Sequence, residues 1–180
     1  MRQKNSERNL NHSAAICFSA LMAAIVIIMT AYILHIPIGV SSGGYIHLGD
    51  AFICLAACLL PQPYALAVGA VGAGVADLLT APVWAPASVI IKILMTLAFK
   101  SDGKILCRRN VIVSVQTVVL TVAGYYLAEV ILFSNWKTPL VSVPFNAAQG
   151  IGSAVVFIIM GAALDKAGIR SMMNRFLYRN

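Results

Sequence analysis

Ionisable side chains interrupt long apolar runs at four positions: Asp50, Asp77, Lys92 and Glu129. A charge at the middle of a membrane helix costs about 2.5–3.5 kcal/mol on insertion scales, so such residues usually pair with one another or mark a solute path. We predict an ion pair between Lys92 and either Asp50 or Asp77. This pairing is compatible with contact between Lys92 and a solute, so both roles stay open.

Polar residues also recur at helical spacing in three successive apolar segments. Residues four apart share one face of a helix, and such stripes should face the inside of a bundle, where they can converge on a pocket. Hydrogen bonds that merely join helices are the alternative for any single Ser or Thr. The predicted substrate-binding residues are Ser88, Lys92, Tyr125, Glu129, Asn146, Gln149, Trp84 and His47.

Aromatic residues stand near the same ends of these segments, among them Trp84, Trp136 and Phe145. Aromatic belts at the membrane interface are one explanation. Stacking of two or three rings on a planar ligand is the other, and the sequence leaves both open.

The helices that position these residues are predicted from composition and run length. The chain is 60% hydrophobic and 11% charged, with a mean hydropathy of +0.86. A membrane helix needs about 20 apolar residues, and the run 14–36 is too long for the apolar core of a signal peptide. We predict an all-α integral membrane fold of six transmembrane helices: 14–36, 48–60, two that end near 79 and 99, 111–133 and 144–164.

The distribution of basic residues predicts the orientation of this bundle. Eleven of the thirteen Lys and Arg residues lie before the first helix, between the fourth and fifth, or in the tail. Excess positive charge marks cytoplasmic segments. We therefore expect one domain over 1–180, with the six-helix bundle at 14–164 and both ends, 1–13 and 165–180, in the cytoplasm. The same clustering argues against a nucleic-acid surface.

The second helix is too short to cross a bilayer by itself, because its predicted residues cover only about 20 Å. Either Tyr45 and its neighbours extend it, or the preceding loop folds inward. Non-helical backbone is tolerated at membrane depth only where protein buries it or a cavity adjoins it. The loop therefore predicts an outer site with a lid that includes Gly43, Gly44 and Tyr45.

Small residues form ladders along the first helix. Ala15, Ser19 and Ala23 make one, and Ala20 and Ala24 make an adjacent AxxxA motif. Small residues at this spacing let another helix approach closely. The partner helix belongs either to this chain or to another subunit.

Several chemical signatures do not occur in the sequence. It has no GxxxxGK[ST] loop and no HExxH, and we predict neither catalytic residues nor an enzyme. Cys54 and Cys58 are one helical turn apart, but His47 is the only plausible third ligand, so packing is favoured over a metal site. Uphill transport would need an ion gradient or a partner that uses ATP.

Four segments resemble one transporter family: 44–50 (GYIHLGD), 76–79 (ADLL), 84–87 (WAPA) and 90–92 (IIK). With the AxxxA motif and the chain length, they resemble the substrate-binding S components of energy-coupling factor (ECF) vitamin transporters. The resemblance implies an outer vitamin pocket, a lid at 37–49, and docking through Ala20 and Ala24. The partners would be a membrane coupling subunit and two ATPases in a bacterial plasma membrane, with no cofactor in this chain. Arg2 replaces the Met-His start of the nickel and cobalt members, so a metal substrate is not expected.

Two other functions remain as alternatives. A stand-alone secondary transporter or channel would use Asp50, Asp77 and Glu129 as proton or ion sites. An intramembrane enzyme is disfavoured, since no nucleophile and base occur at helical spacing. The substrate stays open between a weakly basic heterocycle, such as a pyrimidine or pyridine vitamin, and a carboxylate such as pantothenate that would meet Lys92.

Overall fold

The computed structural model describes residues 9–33, 35–37, 45–101 and 103–179. Its helices are α1 His12–Ala31, α2 Gly49–Leu59, α3 Gln62–Thr80, α4 Ala85–Leu97, α5 Arg108–Phe133, α6 Val143–Lys166 and α7 Ile169–Leu177. Turns of 3-10 helix, Pro82–Trp84 and Thr138–Val141, precede α4 and α6. The short strands are β1 Asn9–Leu10, β2 Ile36–Pro37, β3 Tyr45–Ile46 and β4 Tyr178–Arg179.

Four helices in the described part of the chain are long and apolar enough to cross a membrane. They are α1, α3, α5 and α6, with 20, 19, 26 and 24 residues. This confirms the predicted all-α membrane class. The apolar helices Gly49–Leu59 and Pro82–Leu97 are shorter, so the six-span count stays a prediction.

The first helix ends at Ala31, five residues before the predicted end at Ile36. Proline disfavours helical backbone in the residue before it, so Ile36 and Pro37 are extended and pair antiparallel with Tyr45 and Ile46. His35 Nδ1 lies 3.0 Å from the carbonyl oxygen of Thr30, one of the last carbonyls of α1. The β2–β3 hairpin therefore begins directly at the end of this helix.

Close helix contacts depend on glycines in α3. A Cβ placed on Gly72 would lie 2.8 Å from Val26 Cγ1 of α1, and one on Gly69 would lie 2.9 Å from Thr96 Oγ1 of α4. Both distances are below normal contact, so a side chain at either position would push the helices apart. α2 packs at the centre of the bundle, where every one of its residues except Phe52 is buried.

Hydrogen bonds fix the end of the bundle that carries most of the basic residues, called here the basic end. Both carboxylate oxygens of Asp165 accept from backbone N–H groups, of Ile105 and Leu106, at 2.9 Å. Asn110 is fully buried and bonds to Lys100 N, Lys100 O and Ile105 O. The connection between α4 and α5 is thus hydrogen-bonded to α6 through Asp165 and to α5 through Asn110.

The two termini of the described chain meet at the basic end. β1 pairs antiparallel with β4, and Asn11 N–H donates to Leu177 O at 2.7 Å. This pairing is called the terminal clasp. The predicted tail contains the amphipathic helix α7, which buries Met173 and Leu177 and exposes Met172 and Phe176.

Candidate substrate-binding site

A buried ion pair lies near the end of the bundle opposite the basic end. Lys92 Nζ of α4 is 2.9 Å from each carboxylate oxygen of Asp50 in the first turn of α2. The two side chains are 1% and 2% exposed. Gln149 Nε2 of α6 also donates to Asp50 Oδ2, at 3.3 Å. Of the two partners left open by the sequence, Asp50 is the one that Lys92 contacts.

The hairpin reaches the same region through Tyr45. Its hydroxyl donates a hydrogen bond to Asp77 Oδ1, near the C-terminal end of α3. Burial, with the negative charge of Asp77, raises the pKa of Tyr45 above its usual range, so the phenol keeps the proton that it donates. The His35 ring packs against Tyr45 with 4.0 Å between ring centroids.

Tyr125 joins α5 to this region. Its hydroxyl lies 2.7 Å from Ser88 Oγ, and Lys92 Nζ lies 5.3 Å from the centre of its ring. Trp84 packs against the ring edge-on, with centroids 6.2 Å apart. Trp84 is 5% exposed, whereas Trp136 is 63% exposed. Burial places Trp84 inside the bundle, and Trp136 alone fits an aromatic belt.

His47 lies between the hairpin and α2. Its Nδ1 accepts from Gly49 N–H at 3.1 Å, which requires this nitrogen to be unprotonated. Burial lowers the pKa of His47 to about 4, partly opposed by the charge of Asp50. The imidazole is therefore neutral at pH 7.

These contacts define a group of buried and half-buried side chains from six segments of the chain, called here the polar cluster. Its members are Tyr45, Asp50, Asp77, Ser88, Lys92, Tyr125 and Gln149. Three polar atoms in or beside it have no hydrogen-bond partner among the described residues: the acceptors Asp50 Oδ1, which Lys92 Nζ approaches to 2.9 Å, and Asp77 Oδ2, and the donor Trp84 Nε1. Buried polar atoms are normally bonded, so the cluster offers an acceptor and a donor to a bound molecule.

Two other predicted site residues, Glu129 and Asn146, are not members of the polar cluster. Glu129 Oε2 accepts from Ser142 Oγ at 2.8 Å, beside the start of α6. Asn146 is half-buried in the first turn of α6. Their roles in substrate binding stay predictions. Gly43 and Gly44, the other predicted lid residues, lie outside the described residues.

The small residues of α1 divide into two faces. Ala15, Ser19 and Ala23 are buried, whereas Ala20 and Ala24 are exposed. Ala20 lies on an open groove of about 530 Å³ between α1 and α3, whose lining includes Pro63 and Ala67. The first ladder therefore packs within the bundle, and the AxxxA motif is available to another chain.

The Tyr45–Asp77 contact was not predicted from the sequence. Gly43 and Gly44 between two short extended segments are a sequence signal for a hairpin. A hairpin at this position predicts that Tyr45 lies over the bundle. In the described ranges no three His, Cys, Asp or Glu side chains form a group that could hold a metal ion.

Comparison with known families decides what kind of protein carries this site. Residues 11–166 match the family of the ECF-type riboflavin transporter, S component. The chain belongs to this family. No individual curated protein matches it in sequence. This S component is therefore a membrane protein and a vitamin transporter subunit, and its family is one of transporters and not of enzymes.

Proposed function

We propose that this S component captures a small vitamin or vitamin precursor at the polar cluster and delivers it by docking to an ATP-driven coupling module. The observation that carries the proposal is a pair of buried atoms without hydrogen-bond partners among the described residues: the acceptor Asp77 Oδ2 in the polar cluster and the donor Trp84 Nε1 beside it. A cluster that only joined helices would satisfy its own donors and acceptors. A solute supplies the missing partners.

The same structure supports the proposed topology. All six helices from α1 to α6 cross the membrane, and the basic end faces the cytoplasm of a bacterial cell. The polar cluster then opens to the outside, and the β2–β3 hairpin covers it. Because α2 has only 11 residues, the hairpin completes the outer layer above it, and Tyr45 fastens the hairpin to Asp77.

Docking would use the exposed AxxxA face of α1. Ala20 and Ala24 present a flat surface to a helix of the membrane coupling subunit, and two ATPase subunits bound to that subunit would supply the energy. In this scheme the chain itself binds no cofactor, and ATP is used by its partners.

Reconstituted uptake tests the proposal against a stand-alone transporter. Liposomes with this chain alone, or with the coupling subunit and ATPases, are loaded with ATP or given a proton gradient. We expect accumulation only with the complete complex and ATP. Gradient-driven accumulation by the chain alone would refute the proposal and support proton or ion transport through Asp50, Asp77 or Glu129. An ATPase variant lacking its Walker A lysine is the matched control.

A further inference from the structure

The polar cluster contains more acidic than basic side chains. It contains Asp50, Asp77 and Lys92, and Lys92 contacts both carboxylate oxygens of Asp50. Charges paired at this distance in a buried site largely neutralise each other. Among the described residues, no basic side chain forms an ion pair with the remaining acidic group, Asp77, although the charge of Lys92 acts on it from a distance.

Asp77 is 4% exposed, and its Oδ2 has no hydrogen-bond partner among the described residues. The groups facing it are Tyr45, which bonds to Oδ1, then Ser88, Lys92 and Asp50. Ser88 is within hydrogen-bonding reach of Asp77 and also of the Tyr125 hydroxyl, 2.7 Å away, whereas Lys92 pairs with Asp50. A buried carboxylate oxygen that lacks a donor, as Asp77 Oδ2 does among the described residues, is costly, because the low dielectric offers no substitute for water.

The aromatic groups add a second requirement. Trp84 Nε1 is buried and also has no partner among the described residues. An indole N–H can only donate, so it needs an acceptor such as a ring nitrogen or a carbonyl oxygen. The indole and Tyr125 also present aromatic surface beside Asp77, which suits a flat ring that carries positive charge.

We propose that this site selects a vitamin with a positively charged nitrogen heterocycle, and that Asp77 determines this specificity by binding its N–H or cationic group. Trp84 Nε1 donates to an acceptor on the same ligand. The inference rests on the proposed function and gives its substrate class. The inferred selectivity excludes a ligand whose carboxylate binds Lys92, because Asp50 already neutralises the charge of Lys92. It also predicts that neutral riboflavin binds more weakly than a cationic vitamin.

Purified protein in detergent provides the test, with vitamins chosen by charge. Thiamine and pyridoxamine are the cationic probes, riboflavin is neutral, and nicotinate and pantothenate are anionic. Isothermal titration calorimetry should show at least about tenfold tighter binding for one of the cations than for any other probe. Asp77→Asn should weaken that binding by about 10- to 100-fold, the usual range for losing a charged hydrogen bond.

Asp165→Asn is the matched control, since it removes the same negative charge at the basic end, where Asp165 accepts from the backbone N–H groups of Ile105 and Leu106. We expect binding of the cation within about twofold of the unmodified protein. Equal weakening by both variants would mean that overall negative charge and not Asp77 selects the ligand, and would overturn the inference.

Mass spectrometry of small molecules that co-purify with the unmodified protein is independent of variant folding. A cationic heterocycle supports the inference. A neutral or anionic vitamin, found bound or preferred in calorimetry, overturns the charge selectivity and leaves the proposed function standing. No binding by any probe together with no co-purifying organic molecule would contradict both.

Discussion

Lys92 Nζ lies 2.9 Å from both carboxylate oxygens of Asp50, so that one buried ion pair joins α4 to the first turn of α2. The pair lies between the hairpin and Gln149 of α6, and it holds together the elements around the polar cluster. Removing one member leaves the other charge buried without its partner. Such a change costs about 3–5 kcal/mol in proteins, far more than the net contribution of the pair itself.

We therefore expect Lys92→Met to lower the free energy of unfolding by about 3–5 kcal/mol, and Asp50→Leu to do the same. The double variant should recover at least half of this loss, since it leaves no unpaired charge. Thermal unfolding followed by circular dichroism in detergent measures all three variants. Additive losses in the double variant would show that the two side chains do not form a pair in the folded protein.

His47 should make stability depend on pH. The unfolded chain binds a proton near pH 6.5, whereas burial lowers the folded pKa of His47 to about 4. The unfolded state then holds more protons between these values, so stability falls as pH falls through this window, by at most about 1.4 kcal/mol per pH unit. The contribution is fully present above about pH 6.5. Asp50, Lys92 and His35 are the charged or titratable groups that act on the ring.

His47→Gln is the comparison for this pH effect, because its amide oxygen can still accept from Gly49 N–H but does not titrate. The melting temperature of the unmodified protein should fall more steeply between pH 7.5 and pH 5 than that of the variant. Parallel curves would show that His47 is already protonated in the folded state.

Gly72 should be intolerant of any larger residue. A Cβ there would lie 2.8 Å from Val26 Cγ1, so Gly72→Val forces α1 away from α3. Overpacking of this kind costs about 1–3 kcal/mol. Val71→Leu is the control, since the neighbouring side chain is 53% exposed and should change the melting temperature little. Equal effects of the two substitutions would contradict the close approach of these helices.

Ala20 and Ala24 should matter for transport and not for folding. Both are exposed, so Ala20→Leu with Ala24→Leu should keep vitamin binding within about twofold while uptake falls at least about tenfold, because bulky residues prevent close helix approach. Ala15→Leu is the contrasting change, at a position with 0% exposure. It should destabilise the bundle itself. Loss of binding in the Ala20, Ala24 variant would place these residues within the fold.

Apolar run length was enough to predict that α1, α3, α5 and α6 are long apolar helices, because membrane thickness sets the length of a spanning helix. The i, i+4 stripe on α4 likewise predicted that Ser88 and Lys92 share a face, and both are buried in the polar cluster. The partners of these residues on other helices were harder to predict from the sequence. Spacing within one helix gives no rotation relative to another, so it could not choose between Asp50 and Asp77 for Lys92.

The end of α1 shows a second limit of sequence patterns. Hydropathy continues beyond Ala31 through Ile33 and Ile36, and it does not distinguish an apolar helix from an apolar strand. Pairing of β2 with β3 decides the outcome. The contact between Tyr45 and Asp77 therefore depends on tertiary structure, which the local periodicity of the sequence does not predict.

The terminal clasp has a consequence for biosynthesis. β1 cannot pair with β4 until residues 178 and 179 have been synthesised, after every helix from α1 to α7 has left the ribosome. Residues 9–11 therefore have no strand partner while the helices before α7 are being made, and their pairing reports that α7 has packed against the bundle. A cysteine pair placed across Leu10 and Tyr178, which are register partners, would thus form a disulfide only in molecules in which β1 and β4 have paired.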